Sequence, residues 1–232
     1  MDKVLCFSGG KDSLAVLKMM REVDMLGEVL VIWADSGDSY PGKREWMEEW
    51  AGCLPHFQVV RGDVDEFIRT VGWPTDLLPE RVTEFGRAVS GKPGRMFAPS
   101  RECCRANLWG PMADAVQAAG AKVVYRGDRR EDKRRVPLED GQVLNGITYR
   151  FPVLDWTTEA VLAYVGDELP EYYKAGEHAS RDCVHCTAYL DENAARINAL
   201  PAGTMQLIKM VLREQREAIL QDLQNIDEVL DG

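Results

Sequence analysis

The 232-residue sequence has no long apolar run. The longest, at residues 29–34, is far shorter than the roughly 18 residues that a membrane-spanning helix needs. The first residues lead directly into a short strand-like run rather than into the apolar segment of a secretion signal. We therefore expect a soluble, cytoplasmic protein with no membrane partner.

Basic residues are also in deficit. The chain has 28 Lys and Arg against 38 Asp and Glu, so its net charge is -10. Such a surface repels polyanions as a whole, and a nucleic-acid partner must meet a local basic patch. The remaining composition, 45% apolar and 28% charged, is typical of a globular protein and excludes disordered, collagen-like and coiled-coil classes. We predict a main domain over residues 1–200 and an appended helical segment over residues 201–232.

Short apolar runs alternate with helical patterns in the first half of the chain. The runs cover residues 4–7, 29–34, 57–60 and 122–125. Helical patterns follow the first two runs and precede the last one. Continuous apolar strands that alternate with helices predict an α/β fold, doubly wound, with a mostly parallel sheet and helices on both faces.

Three later segments have patterns of their own. Asn145 and Gly146 lie between extended runs and predict a small hairpin. Residues 202–230 predict one long helix, whose apolar stripe packs on the protein itself or forms a homodimer contact. Residues 73–100 are rich in proline, glycine and charge without a clear period. Loops of that length are often lids or binding loops, so we predict a long, mobile connection that carries acceptor specificity.

A hexapeptide with two glycines connects the first strand to the first helix. Its residues are Ser8, Gly9, Gly10, Lys11, Asp12 and Ser13. It lies at the carboxyl edge of the predicted sheet, where doubly wound folds bind ligands. The glycines let the backbone wrap an anion, the helix start offers unpaired N–H groups, and the side chains add donors and one positive charge. The loop therefore predicts a phosphate or pyrophosphate site.

This loop is not a Walker A loop, because the Gly-x-x-x-x-Gly-Lys-Ser/Thr spacing is absent. Two near misses, at residues 37–43 and 86–92, both lack the hydroxyl residue that follows the lysine and holds magnesium. We discard both.

Residues 126–135 concentrate positive charge in this acidic chain, with six cations against three carboxylates. Arginine suits bidentate contacts with phosphate or sulfate, so we assign Arg129 and Arg135 to an anionic substrate. The same basic segment is our candidate contact for a nucleic-acid acceptor. The alternative is a solvated segment that its own carboxylates neutralise.

Four of the six cysteines form two separated pairs: Cys103, Cys104, Cys183 and Cys186. The chain opens without a secretion signal, which favours metal or redox chemistry over a disulfide framework. Four such thiolates can close a metal site, although adjacent cysteines are unusual in zinc sites. A cluster, a zinc ion and redox-active or structural cysteines all stay open at this point. The lone residues Cys6 and Cys53 are predicted to lie in a strand core and at a helix end.

Taken in order, these segments resemble the phosphoadenosine phosphosulfate reductase family of the PP-loop, or N-type ATP pyrophosphatase, superfamily. The hexapeptide is similar to the PP-loop. Residues 35–37, Asp-Ser-Gly, resemble the Asp-Thr-Gly that lies close to the nucleotide in that family. Residues 127–135 resemble its Gly-x-Arg-x-x-Glu-Ser-x-x-Arg segment, with Lys133 in place of the serine, and residues 151–158 its Pro-Ile-x-Asp-Trp-Thr signature.

The resemblance implies an adenine nucleotide alpha hydrolase-like fold and a set of functional residues. Nucleotide binding falls to the hexapeptide with Asp35, Gly127, Arg129 and Arg135, and catalysis to Lys11, Asp12 and Arg129. The Cys-Cys pair with a distant Cys-x-x-Cys is similar to the pattern of iron-sulfur adenylylsulfate reductases and related sulfur-inserting proteins. It implies a [4Fe-4S] cluster on Cys103, Cys104, Cys183 and Cys186.

Two features favour ATP over a sulfonucleotide as the substrate. Lys11 is kept in PP-loop members that cleave ATP between its α and β phosphates, whereas the reductases usually lack it. The reductases also use a cysteine in a C-terminal Glu-Cys-Gly-x-His tail, and the last cysteine here is Cys186. We therefore expect an ATP-cleaving enzyme of sulfur transfer or nucleic-acid modification, with Mg²⁺ as a further cofactor.

Two alternatives remain open. The first is a reductase that takes adenylylsulfate or phosphoadenylylsulfate (PAPS) and releases sulfite, with a thiol or sulfur-donor protein as partner. The second is a nucleotide-binding module without turnover.

Overall fold

The computed structural model describes residues 1–133, 135–170 and 182–231. The chain forms two compact units. We call Met1–Gly62 with Leu108–Asp182 the sheet unit, and Asp63–Asn107 with Cys183–Gly232 the cysteine unit. This grouping differs from the predicted boundary at residue 200, and it places the last helix with residues 63–107.

The sheet unit contains a six-stranded sheet in the order β3-β2-β1-β6-β8-β7. Its strands are β1 (Lys3–Cys6), β2 (Val29–Asp35), β3 (Phe57–Arg61), β6 (Val123–Tyr125), β7 (Val143–Leu144) and β8 (Ile147–Arg150). The β7–β8 pairing is antiparallel, and the other pairings of this sheet are parallel. The predicted mostly parallel sheet is confirmed.

Helices cover both faces of this sheet, because successive residues of a strand point to opposite faces. They are α1 (Lys11–Glu22), α2 (Lys43–Cys53), α6 (Gly110–Ala118) and α7 (Thr158–Val165). Leu5 belongs to a core with residues of α1, α2 and α7, whereas its neighbour Val4 belongs to a second core with residues of α6. The α/β class with two covered faces is confirmed.

Local signals in the sheet unit behave as the sequence predicts. Asn145 and Gly146 have φ values of 50° and 79°, which the tight hairpin between β7 and β8 requires. Thr157 caps α7 by accepting a hydrogen bond from the Ala160 backbone N–H at 3.2 Å. Cys6 ends β1 and Cys53 ends α2, where its side chain is exposed.

The cysteine unit combines a short parallel strand pair with helices from both of its chain segments. Its elements are α3 (Val64–Thr70), β4 (Trp73–Thr75), α4 (Glu84–Ser90), β5 (Phe97–Pro99), α5 (Ser100–Cys104), α8 (Leu190–Asn198) and α9 (Ala202–Leu230). Strands β4 and β5 pair in parallel. Trp73, Val82 and Phe97 pack with Val211 of α9 in one core. The predicted bounds of the last helix are confirmed.

The prediction of a long, mobile connection over residues 73–100 is wrong. This stretch holds β4, α4 and β5, and the strands have only three residues each, too few to show a period in the sequence. Thr83 caps α4 by accepting from the Gly86 backbone N–H at 3.0 Å. Cys103 and Cys104 end α5, and a π-helical turn, Arg105–Trp109, follows them directly and leads into α6.

The described helices include none that is both long enough and apolar enough to cross a lipid bilayer. In the longest described helix, α9, most residues beyond Leu220 are exposed, apolar and polar ones alike.

Candidate functional site

Two loops meet at the carboxyl edge of the sheet. The chain runs from β1 to β2 and β3 on one side, and β6 pairs with the other side of β1. The strand order therefore reverses between β1 and β6, and such switch points are where open α/β sheets bind ligands. The hexapeptide follows β1, and residues 126–135 follow β6.

The hexapeptide forms a compact turn into α1. Gly9 has a φ of +73°, and a Cβ there would lie 2.9 Å from the Met47 sulfur, so only glycine fits. Ser13 Oγ donates to the Gly10 carbonyl at 3.0 Å and lies 3.1 Å from Ser8 Oγ. Gly10 is the N-cap of α1, whose first N–H groups have no partner within the helix. This arrangement suits an anion.

Gly127 brings the second loop against the first. A Cβ on Gly127 would lie 2.6 Å from the Ser13 nitrogen and 2.7 Å from the Asp12 carbonyl carbon. Only a residue without a side chain allows the two backbones to come this close. The structure therefore brings together the hexapeptide and the Gly127 segment, as their assignment to one site requires.

Lys11, Asp12 and Arg129 form a buried charge cluster at this contact. Lys11 Nζ lies 2.7 Å from Asp12 Oδ2, and Arg129 Nε lies 2.7 Å from Asp12 Oδ1. The Lys11 and Arg129 side chains are 6% and 4% exposed. Asp12 Oδ1 and Arg129 Nε make no well-aligned hydrogen bond within the part of the chain that the structure describes.

Arg129 also contacts Glu131 and Asp132, so carboxylates outnumber cations in this cluster. Burial raises the pKa of Asp132, against the opposing effect of the Arg129 backbone hydrogen bond and charge. A hydrogen bond from Thr158 Oγ1 lowers the pKa of Glu131. An anionic ligand therefore enters only if these ion pairs rearrange or a cation accompanies it.

Asp35 lies at the end of β2, next to β1, on the same edge of the sheet. Its Oδ1 accepts hydrogen bonds from the Gly37 backbone and from Ser39 Oγ, both at 3.1 Å. Arg44 Nη2 lies 3.1 Å from Asp35 Oδ2. The carboxylate thus shapes the turn after β2.

Lys43 is a site residue that the sequence reasoning missed. It is the first residue of α2, its side chain is 3% exposed, and its ammonium pairs with Asp182. Its Cε would lie 3.4 Å from a Cβ on Gly9. Lys43 was set aside with the near miss at residues 37–43, because the Walker A test considers spacing along the chain and not proximity in space.

The arginines of residues 126–135 mostly engage groups of their own unit. Arg126 pairs with Asp128, and Arg130 pairs with both Glu139 and Asp155. Arg126 thus pairs within the segment, whereas both partners of Arg130 lie outside it, so the self-neutralised alternative stays a prediction.

Arg135 Nη1 donates to the carbonyls of Val136 and Leu138 at 3.2 and 2.9 Å. Its role toward an anionic substrate stays a prediction.

The four paired cysteines all belong to the cysteine unit. Cys103 and Cys104 come from the first of its chain segments, and Cys183 and Cys186 from the second. Among the described residues, no three cysteine sulfurs lie within 4.8 Å of one another. Ligands of one zinc ion would be closer than that, since a Zn–S bond is about 2.3 Å long.

Polar side chains contact three of the sulfurs, and two of these contacts are donations from asparagine amides. Asn107 Nδ2 lies 3.7 Å from Cys103 Sγ, and Asn193 Nδ2 lies 3.9 Å from Cys186 Sγ. Tyr189 Oη lies 3.5 Å from Cys104 Sγ. These contacts orient the thiols and can stabilise negative charge on them.

Arg196 holds the second cysteine pair in place. This buried side chain donates from Nη1 to the Cys183 carbonyl at 2.8 Å and from Nη2 to the Cys186 carbonyl at 3.3 Å. Burial raises the pKa of the Cys186 thiol to about 11, and Cys104 adds to the shift.

A glycine-rich loop at the switch point of a mostly parallel sheet is typical of doubly wound α/β proteins that bind phosphate groups. The chain belongs to the phosphoadenosine phosphosulfate reductase family, because the family model "Phosphoadenosine phosphosulfate reductase domain" matches residues 2–188. The resemblance noted in the sequence is thereby confirmed, and the family places the protein among the enzymes of sulfur metabolism.

Among solved structures, the chain is similar to phosphoadenylyl-sulfate (PAPS) reductase from Candida auris, in its phosphate complex. The two share 16% identity with a TM-score of 0.49, over 78% of this chain and 81% of that one. No curated protein matches the chain at a significant level.

Proposed function

We propose that the sheet unit binds ATP and cleaves it between the α and β phosphates, transferring the adenylyl group to an acceptor. The observation that carries the proposal is the buried Lys11 within the loop at the switch point. Its ammonium and the first N–H groups of α1 suit the pyrophosphate part of a nucleotide. We place this adenylyl-transfer step in sulfur transfer or nucleic-acid modification.

In the proposed reaction an acceptor oxygen attacks the α-phosphorus, and the bond to the bridging oxygen breaks as pyrophosphate leaves. Lys11 and Arg129 offset the negative charge that develops on the leaving group. Asp12 orients both cations through its two carboxylate oxygens. Gly127 keeps the two loops close enough for these charges to act together.

Mg²⁺ fits the carboxylates of this site. Asp12 and Asp132 would hold it, because Asp12 Oδ1 is buried without a well-aligned hydrogen bond among the described residues and hard cations prefer carboxylate oxygens. When bound, the ion supplies positive charge beside the phosphates.

A [4Fe-4S] cluster fits the cysteine unit. Cys103, Cys104, Cys183 and Cys186 would hold it, since their donor set is all thiol, with polar side chains in contact with three of the sulfurs. When bound, such a cluster supplies a redox centre whose potential depends on those hydrogen bonds.

A PAPS or adenylylsulfate reductase that releases sulfite is the second candidate, and the family model favours it. It requires an attacking thiol, from this chain or from a thiol protein. The nucleic-acid acceptor, the sulfur-donor partner, the homodimer and the cytoplasmic location stay predictions.

Calorimetric titration of anaerobically purified protein with ATP, adenylylsulfate and PAPS tests the proposal. Iron and sulfide content is determined on the same sample. ATP as the tightest ligand, with pyrophosphate release on addition of an acceptor, supports the adenylyl-transfer proposal. A tenfold or greater preference for a sulfonucleotide, about 1.4 kcal/mol, selects the reductase instead. Binding of none of the three rejects both.

A further inference from the structure

Lys43 places a second buried lysine beside the PP-loop. Its side chain is 3% exposed, and its Cε approaches the Gly9 backbone closely enough to contact any Cβ placed there. The ammonium, one bond beyond Cε, is therefore within reach of an anion that the loop holds. A buried ammonium without a counter-charge is strongly unfavourable, so this lysine needs an anionic partner at all times.

Asp182 provides that partner. Its carboxylate accepts from Lys43 Nζ, and its carbonyl oxygen accepts from Ser36 Oγ at 2.6 Å. The two ends of the ion pair differ in exposure, since the Asp182 side chain is 29% exposed. The carboxylate can turn toward water, whereas the ammonium cannot.

We propose that Lys43 is a second phosphate-binding cation of the PP-loop and that Asp182 is a built-in competitor for it. An incoming phosphate or sulfate group takes the place of Asp182 on Lys43, and the Asp182 carboxylate turns to solvent. The inference rests on the proposed nucleotide binding, and it adds that the ligand must displace an internal carboxylate.

The proposal predicts opposite effects for the two partners of the ion pair. Lys43→Gln removes a charged contact, and we expect the affinity for the nucleotide to fall by about 10- to 100-fold. Asp182→Asn removes the competitor, and we expect the affinity to rise by roughly 3- to 10-fold. A merely structural ion pair would give weaker binding in both variants, because either change leaves a buried group without its partner.

The double variant Lys43→Gln/Asp182→Asn separates competition for Lys43 from simple repulsion between Asp182 and the ligand. If Asp182 acts through Lys43, the double variant binds as weakly as Lys43→Gln, within about twofold. If Asp182 only repels the anion, its removal tightens binding in either background. The double variant leaves no unpaired buried charge, so it also serves if Lys43→Gln fails to fold.

The experiment is calorimetric titration of the full chain and these variants with ATP, adenylylsulfate and PAPS. Lys18→Gln is the matched control. Lys18 lies on α1 of the same unit, and it also forms an ion pair with a carboxylate, that of Glu168, at 3.4 Å. The expected result is weakened binding for Lys43→Gln, tightened binding for Asp182→Asn and unchanged binding for the control.

Wild-type affinity retained in Lys43→Gln, or weakened binding in Asp182→Asn, overturns this inference and leaves the proposed function standing. Tightening by Asp182→Asn in the Lys43→Gln background overturns it as well. If the wild-type protein binds none of the three nucleotides, the proposed function itself fails, and the inference fails with it.

Discussion

Gly127 is the residue at which two loops of the sheet unit touch through their backbones. A methyl group there would meet the Ser13 nitrogen at 2.6 Å and force the loops apart. We expect Gly127→Ala to lower the free energy of unfolding by about 1–3 kcal/mol and to weaken nucleotide binding.

Urea unfolding and nucleotide titration of Gly127→Ala measure the two effects. The control is Gly52→Ala in α2, where an added Cβ meets nothing within 4 Å. Alanine is the better helix former, so this variant is expected to be up to about 1 kcal/mol more stable. Equal unfolding free energies and equal nucleotide affinities for the two variants would contradict the close approach of the two loops at Gly127.

Replacement of Lys11 separates turnover from mere binding, because the proposed function gives its charge a role in nucleotide cleavage. Removing one cationic donor to a leaving group costs about 2 to 4 kcal/mol of transition-state stabilisation. We expect Lys11→Ala to slow nucleotide cleavage by roughly 30- to 1000-fold, measured as pyrophosphate or sulfite release. Lys18→Ala, on the same helix, should retain the wild-type rate. A nucleotide-binding module would show no turnover for Lys11→Ala to reduce.

Helix α7 packs on α1 through a polar and aromatic contact around Tyr164. The Trp156 and Tyr164 ring centroids lie 5.2 Å apart, and Tyr164 Oη donates to Glu22. Burial, followed by the Glu22 contact, raises the pKa of Tyr164 to about 12. The fold thus favours the protonated phenol, and the stability that this contact contributes is present below pH 10 and lost between pH 10 and about 12.

We therefore expect the thermal midpoint of Tyr164→Phe to fall less steeply than that of the wild type between pH 10 and 12. Glu22→Gln removes the acceptor charge and should give an intermediate slope. Identical slopes for wild type and Tyr164→Phe, recorded by circular dichroism, would contradict the assignment.

Helix α9 is fixed to the β4 segment by a buried amide. Gln215 is 5% exposed, and its Nε2 donates to the Leu77 carbonyl at 3.1 Å and to Thr75 Oγ1. Gln215→Ala removes the amide that donates to the buried Thr75 hydroxyl and to the Leu77 carbonyl, so we expect a loss of about 1–3 kcal/mol in unfolding free energy. Gln221→Ala, exposed on the same helix, should change it by less than about 0.5 kcal/mol. Chemical denaturation measures the unfolding free energy of both variants and of the wild type.

These elements also show what the sequence can and cannot predict. Strands β1 to β3 were predicted because a parallel strand covered on both faces is a continuous apolar run. Strands β4 and β5 were missed because three residues cannot display a period. The PP-loop was found from its glycines. Lys43 was missed because it lies far from Gly9 along the chain and approaches it only in the folded structure.

At the scale of the molecule, the cysteine unit is built from two distant chain segments. Each segment contributes two of the paired cysteines. A metal cluster on these thiols would cross-link the segments and restrict the unfolded chain.

We therefore expect removal of iron to speed amide hydrogen exchange in residues 63–107 and 183–231, and to leave the strands of the sheet unit unchanged. Cys186→Ser should lose iron and reproduce the effect. Cys53→Ser, at an exposed cysteine, should keep both iron and protection. Uniform deprotection of the whole chain would contradict a cluster confined to the cysteine unit.

The order of the segments along the chain has a consequence for biosynthesis. A ribosome releases residues 63–107 before β6 and β8 complete the sheet, and it releases α8 and α9 after those strands. Trp73 and Phe97 therefore emerge before Val211, the α9 residue with which they form a core. Cys103 and Cys104 likewise precede Cys183 and Cys186, so the nascent chain presents an incomplete thiol set until Cys186 is synthesised. A cluster held by all four thiols would therefore be completed only after that residue emerges.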